Sequence, residues 1–198
     1  MIRSLHAVVA LLLCLSCPCV SAVDSLRPKT ELQGGGVSYL SPDEDGWIVE
    51  RSVKQWSLLG KYAANKAESY SIQMTHIKAA CPASKEAFIE TVRRSLQTTL
   101  PRFKLRSTSV EEDKTGRAYA RVNYYFLTED YGAHKMPADQ SYALLEAQGS
   151  YSCHPYDATV VEKAEYSYRY YPGDRDPNFK TNAQWVLDHV RFTGLTSR

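Results

Sequence analysis

The sequence predicts an α+β fold in which an antiparallel β-sheet packs with two main helices. Most of the chain after residue 36 consists of short segments that alternate polar with apolar residues and are rich in strand-forming types. Only two segments show the four-residue apolar spacing of a helix, one after Pro82 and one near residue 185. Runs of strands with few helices are typical of an α/β sandwich, a curved sheet covered by helices.

The first 22 residues have the pattern of a signal peptide. Arg3 precedes an apolar run over residues 7–16, and Val20-Ser21-Ala22 supplies the small residues at which signal peptidase cuts. The run is too short for a transmembrane helix, which needs about 20 apolar residues. We therefore predict a secreted or periplasmic protein whose mature chain begins at Val23.

A lipoprotein anchored to the cell envelope is the alternative interpretation of this segment. Any of three cysteines would become the acylated N-terminus: Cys14, Cys17 or Cys19. None of them has both a leucine three residues before it and a small residue immediately before it. In this alternative the lipid is the chain's only contact with a membrane.

The rest of the chain is predicted to be a linker, one domain and a tail. Residues 23–36 are polar and end in three glycines, which indicates a flexible linker. Residues 37–193 suit a single α+β domain, and residues 194–198 form a C-terminal tail. Without Arg3 the chain has 23 basic and 22 acidic residues, a net charge of +1 that implies neither nucleic acid nor an anionic membrane surface as a partner.

The first half of the domain is predicted to consist of strands. Residues 37–40 and 47–53, separated by turn residues 41–46, predict a hairpin, and residues 55–59 continue the sheet. Residues 68–79 alternate, so that one face carries Tyr70, Ile72, Met74 and His76. In this phase His76 is more typical of a core histidine than of a catalytic one.

The first helix is predicted to begin after Cys81-Pro82. Ser84 is a suitable N-cap, and Pro101 ends the helix. Apolar residues recur at intervals of four along its length: Phe88, Val92, Leu96 and Leu100.

Four long strands are predicted after the first helix, over residues 103–111, 117–128, 143–152 and 159–171. Residues 113–116 make a hairpin turn, and residues 129–140 form a longer loop. The last strand alternates, with one face made by Ala164, Tyr166, Tyr168 and Tyr170 and the other by Lys163, Glu165, Ser167 and Arg169. Its tyrosines predict either a buried aromatic ladder or a platform on which a sugar ring stacks.

A closing helix is predicted over residues 182–190. Thr181 and Gln184 have the spacing of a capping box. The apolar stripe consists of Ala183, Val186, Leu187 and Val190.

Removal of the signal peptide leaves two cysteines, Cys81 and Cys153, in an exported chain. The simplest prediction is a disulfide, which closes a loop of 72 residues. Two alternatives use the adjacent His154: a thiolate activated by this histidine, and a metal site that adds His76 to the set. Neighbouring residues of a strand point to opposite faces, which weakens a Cys–His site.

No catalytic or ligand-binding motif is present. The GxSxG and HExxH motifs and a phosphate-binding glycine loop are absent, and we expect no cofactor. The sequence favours a non-catalytic binding or accessory module whose partner is another envelope protein, bound through a sheet face or the loop 129–140. The alternative is a small periplasmic enzyme or metal-binding protein that uses Cys153 and His154. The candidate site residues are His154, His76, Arg169 and Tyr168.

The order of these elements resembles the Mog1/PsbP-like fold and small exported bacterial proteins of that kind, including DcrB-like lipoproteins. The resemblance covers residues 37–193. It rests on the early hairpin with Asp45-Gly46-Trp47, the helix introduced by residues 84–88, the long strands, and a C-terminal helix ending in Val190-Arg191-Phe192. It implies an accessory, chaperone-like or partner-binding role.

Overall fold

The structure is a computed structural model that describes residues 25–53, 55–63, 68–97, 102–133, 136 and 138–193. The predicted signal peptide and C-terminal tail lie outside these residues. Within them the chain forms a mostly antiparallel β structure with two helices, which confirms the α+β class. None of the helices in this part of the chain has the length and apolar character needed to cross a membrane.

The elements follow one another along the chain as β1 (Glu31–Gly34), β2 (Val37–Leu40), β3 (Ile48–Val53), β4 (Trp56–Tyr62), β5 (Ser69–Lys78), α1 (Lys85–Gln97), β6 (Phe103–Glu112), β7 (Arg121–Asp130), β8 (Ala143–Cys153), β9 (Val160–Tyr170), α2 (Phe179–Asp188) and β10 (Arg191–Phe192).

Seven of the strands form one large sheet in the order β3-β4-β5-β9-β8-β7-β6, in which all neighbours are antiparallel. Two meanders, β3 to β5 and β6 to β9, join where β9 pairs with β5. The remaining strands form a small sheet in the order β1-β2-β10, which brings the first and last strands of the domain together.

The two helices cover opposite faces of the large sheet. Phe179 and Leu187 of α2 share a core with Trp47 and Tyr166, and Val37 and Tyr39 of the small sheet belong to this core as well. We call this face the α2 side. Phe88 and Val92 of α1 pack instead against Val122 and Tyr124 of β7, on the face that we call the α1 side. Because alternate residues of a strand point to opposite faces, each central strand contributes to both cores.

The alternation predicted for the last strand is confirmed in β9. One set of residues is buried on the α2 side, namely Ala164, Tyr166, Tyr168 and Tyr170. Tyr168 lies between two rings, with centroids 4.2 Å from Tyr70 and 4.7 Å from Tyr170. The tyrosines are therefore a buried aromatic ladder, and the prediction of a sugar-stacking platform is wrong.

The N-terminal part of the domain differs from the prediction. Glu31–Gly34, expected in a flexible linker, forms β1, and β2 pairs with β1 and β10 rather than with β3. Gly35 and Gly36, with φ of 60° and 79°, make the two-residue turn between β1 and β2. Two consecutive residues with positive φ are what a tight hairpin turn requires, so the glycines connect two strands.

The boundaries of two other elements, the closing helix and β7, also differ from the prediction. The closing helix begins at Phe179, so Thr181 lies inside it and no capping box forms; Asn178 is the N-cap and makes no side-chain cap hydrogen bond. The helix ends at Asp188, and the Arg191-Phe192 pair forms β10. Strand β7 begins at Arg121 rather than at residue 117, because residues 113–120 form a longer connection than the predicted turn.

Candidate functional site

The two cysteines are joined, as the sequence predicted. Cys81 lies before α1 and Cys153 is the last residue of β8, with their Cα atoms 5.5 Å apart in a disulfide. Both belong to the core of the α1 side. His154, the next residue, packs on the α2 side against Phe192, with ring centroids 5.1 Å apart. The strand therefore separates the cysteine from the histidine, and the bonded sulfur of Cys153 is not a thiolate that His154 can activate.

His76 faces the α2 side and pairs with a buried carboxyl group. Its Nδ1 lies 2.6 Å from Oε1 of Glu162, the residue opposite it on β9. Glu162 is 4% exposed, and its Oε2 has no hydrogen-bond partner among the described residues. Burial raises the pKa of Glu162 to about 7, although the contact with His76 acts against the rise. Gly36 covers the pair, because a Cβ at this position would lie 2.2 Å from Oε1 of Glu162.

His154 is buried beside this pair, with 4% of its surface exposed. Its Nδ1 accepts a hydrogen bond from the backbone N–H of Tyr156 at 3.2 Å. Burial, followed by the charge of His76, lowers the pKa of His154. The structure thus brings the two candidate histidines to one place beneath the small sheet. In the described part of the chain no three His, Cys, Asp or Glu side chains form a group that could hold a metal ion.

The other two candidate residues lie apart from the histidines. Tyr168 is part of the aromatic ladder, and its hydroxyl donates to the carbonyl oxygen of Asp174 at 2.8 Å. Arg169 points to the α1 side, with Nε 3.0 Å from Oδ2 of Asp130. The four predicted residues therefore belong to three different surroundings.

A cationic and aromatic surface lies where β7 ends. Tyr131 is 46% exposed, and its ring centroid lies 5.7 Å from that of Tyr142. Arg106 stacks over Tyr142, with its guanidinium carbon 5.2 Å from the ring centroid, and donates to the Tyr142 hydroxyl at 2.8 Å. Together with Lys104 of β6, which lies 3.6 Å from Glu129, these residues make a surface that we call the Tyr131 patch.

A buried carboxylate, Glu129 of β7, holds the Tyr131 patch in place. It accepts from Nε of Arg106 at 2.7 Å and from the Tyr131 hydroxyl. The next residue, Asp130, points to the opposite face of the strand, where Arg102 donates to both of its oxygens at 2.5 and 2.7 Å. The patch therefore presents two cations and two aromatic rings to solvent above one carboxylate.

The α1 side also contains two cavities. The smaller one, about 260 Å³, lies between the C-terminal half of α1 and the sheet, and Leu96, Phe126 and the Lys163–Glu165 ion pair line it. The larger one, about 420 Å³, lies at the N-terminal end of α1 beside the connection from β6 to β7. Lys85, Phe88 and Ile89 of α1 and Val122 of β7 are among the residues that line the larger one.

Sequence reasoning missed the charged residues that make these sites. Glu162, Asp130 and Arg121 have nearly completely buried side chains but were not candidates. A signal existed for Glu162, because it lies on the same face of β9 as the buried tyrosines and opposite His76 on β5. No local pattern marks Arg121 or Asp130, whose burial depends on α2 and on residues from distant strands.

Comparison with known proteins does not identify the chain. No family model matches it, and no curated protein matches it. Among solved structures, it is similar to a fragment of the STAR-related lipid transfer protein from Xanthomonas axonopodis, with 15% identity over 73% of this chain and 92% of that one. The TM-score of 0.30 is too low for this likeness to support an argument about fold or function.

Proposed function

We propose that this chain is an exported, non-catalytic accessory module that binds another protein of the cell envelope through the Tyr131 patch. The observation that carries the proposal is the patch itself: an exposed tyrosine beside a second tyrosine and an arginine that stacks on it. Tyrosine and arginine are enriched at the centres of protein interfaces, where they supply most of the binding energy.

The patch is suited to binding because its side chains are already ordered. Arg106 and Tyr131 both donate to the buried carboxylate of Glu129, so little side-chain entropy is lost when a partner docks. Two cations, Lys104 and Arg106, lie at the surface above this one carboxylate. The partner that complements this arrangement presents an acidic segment.

The location follows from two features of the chain. The first 22 residues have the pattern of a signal peptide, and the Cys81–Cys153 disulfide requires an oxidising compartment to form and persist. Both support secretion or a periplasmic location, with a lipid anchor on the envelope as the alternative.

The arrangement of helices supports the Mog1/PsbP-like assignment as part of the same proposal. One antiparallel sheet carries α1 on one face and α2 on the other, which is the layering that the resemblance implies. An accessory role in the envelope agrees with that family.

Site-specific photocrosslinking in the native envelope tests the proposal. A photoreactive amino acid at position 131 should give one discrete adduct of higher mass, identified by mass spectrometry. The matched control is position 156, since Tyr156 is 68% exposed but lies far along the chain, next to the His154 loop. Replacement of Arg106 by Gln should weaken the adduct at 131. Equal adducts at 131 and 156, or none at 131, would contradict the proposal.

A further inference from the structure

One edge of the large sheet is open along β6. This strand stands last in the strand order, and among the described residues β7 is the only strand that pairs with it. Of its ten residues, four consecutive ones are exposed, residues 106–109. An unpaired strand edge presents a row of free N–H and C=O groups, to which another chain can add a strand.

The backbone hydrogen bonds between β6 and β7 define which groups face the open edge. The N–H of Asp113, the residue after β6, donates to the Arg121 carbonyl at 3.1 Å. Residues of an antiparallel strand alternate between bonding to the neighbour and facing away from it. Because the register is regular back to Ser107, every second residue from Asp113 to Ser107 bonds to β7. The N–H and C=O groups of Thr108 and Val110 therefore face the open edge.

The opposite edge of the sheet, along β3, is better protected. That strand has six residues, a β-bulge between Val49 and Arg51, and a second charge at Glu50. Short length, bulges and charges are the features that prevent a strand edge from pairing with another chain. Strand β6 also has a bulge, after Leu105, but residues 107–110 beyond it are regular and carry no charge. The edge of β6 is thus the one that is suited to accept a strand.

The charges along β6 indicate what kind of strand fits this edge. Lys104 and Arg106, near the start of β6, belong to the Tyr131 patch, and their side chains are 70% and 41% exposed. At the other end of β6, Glu112 is paired with Lys85 at 2.5 Å. An added strand is therefore complementary when it carries acidic residues beside Lys104 and Arg106 and uncharged residues beside residues 107–110.

We propose that an extended acidic segment of the envelope partner binds as an additional β-strand along the open edge of β6. The inference rests on the proposed function and deepens it, because Lys104 and Arg106 belong both to the Tyr131 patch and to β6. In this mode of binding, main-chain hydrogen bonds supply the affinity and side-chain contacts supply the specificity. Here the main-chain bonds come from Thr108 and Val110, and the side-chain contacts come from the patch.

Photocrosslinking from position 131 in the native envelope tests whether the backbone of β6 takes part in binding. Thr108→Pro removes one N–H at the open edge, where proline is tolerated. It should reduce the yield of the adduct at 131 by about ten-fold or more. Thr108→Val is the matched control, because both variants lose the hydrogen bond from the Thr108 hydroxyl to the Tyr125 carbonyl, but valine keeps the N–H. Val110→Pro should act like Thr108→Pro, and urea unfolding verifies that each variant is folded.

The outcomes separate strand addition from the proposed function. An adduct at 131 that both proline variants retain, or that Thr108→Val loses equally, overturns strand addition and leaves the Tyr131 patch as the binding surface. If the unsubstituted chain gives no adduct at 131, the proposed function is contradicted, and a photoreactive amino acid at the exposed position of Ser109 decides the inference. An adduct at 109 that Thr108→Pro loses and Thr108→Val retains supports strand addition. No adduct at 109, or one that both variants affect alike, overturns it.

Discussion

The α2 side and the α1 side of the large sheet are covered by one helix each but are filled differently. On the α2 side, Trp47, Tyr166 and Phe179 pack together with ring centroids about 6 Å apart. The small sheet adds Val37 and Tyr39 to this core. On the α1 side the apolar core is smaller, and two cavities lie at the two ends of α1. The Lys85–Glu112 pair beside the larger cavity and the Asp130 ion pairs belong to this second face.

The difference teaches where this fold can accept function. The aromatic core of the α2 side is close-packed and contributes stability, and the cavity of about 240 Å³ beside α2 lies at the edge of this core, lined by Pro42 and Trp185 among others. The α1 side has less packing, but the disulfide and the ion pairs of Asp130 with Arg102 and Arg169 secure it. Core residues of the α2 side are therefore expected to govern stability, and residues on the α1 side are expected to tolerate substitution better.

A matched pair of leucines tests this comparison most strongly. Leu59 is completely buried in the core of the α2 side, whereas Leu96 is partly buried and lines the smaller cavity of the α1 side. Leu59→Ala should lower the free energy of unfolding by about 3–5 kcal/mol, because it leaves a new void in a packed core. Leu96→Ala should cost about 1 kcal/mol, since one side of this residue already faces open space. Urea unfolding of both variants measures the costs, and similar values would remove the distinction between the two faces.

The disulfide provides the second test, because it secures the α1 side covalently. Replacement of Cys81 by Ser should lower the free energy of unfolding by about 2–4 kcal/mol, as expected for a bond that closes a long loop. The loop here spans 72 residues. Wild-type protein under reducing conditions should behave like the variant. An intact mass measured without reductant that shows two free thiols would contradict the bond itself.

The third test uses the carboxyl group sealed beneath the small sheet on the α2 side. The pKa of Glu162 is raised from 4.5 to about 7, so the folded state binds more protons than the unfolded state between these values. The stability that Glu162 contributes is complete below its unfolded pKa of 4.5. It is lost as the pH rises through its folded pKa of about 7. Glu162→Gln has no proton to lose, so it should gain about 2–3 kcal/mol relative to wild type between roughly pH 5 and pH 8.

Urea unfolding of wild type and Glu162→Gln at roughly pH 5 and pH 8 measures this gain. The gain is the difference between the two plots of unfolding free energy against pH. The subtraction matters because buried His154, whose pKa is lowered, has the opposite effect and loses stability as the pH falls. Parallel profiles would show that Glu162 is not sealed from water, and the small sheet would then be a looser cover than its contacts indicate.

Much of the fold was predictable because its signals are local. Alternation along β5 and β9 gave both the strands and their buried faces, and the four-residue spacing gave α1. The Cys81–Cys153 pair followed from counting cysteines. The N-terminal hairpin was missed because Gly34-Gly35-Gly36 is compatible with both a flexible linker and a tight turn, and only the pairing of β2 with β10, from the far end of the chain, selects the turn.

The sequence by itself determined the α+β class, the long strands and the cysteine bridge, since each depends on residue spacing or on which residues are present. Tertiary structure alone decided which polar groups form sites. It brought His76 to Glu162 and Arg169 to Asp130, and it enclosed Arg121 between β7 and the end of α2. The reason is physical: the environment of a charge depends on every group within a few ångströms of it, and in this sheet those groups come from strands far apart in the sequence.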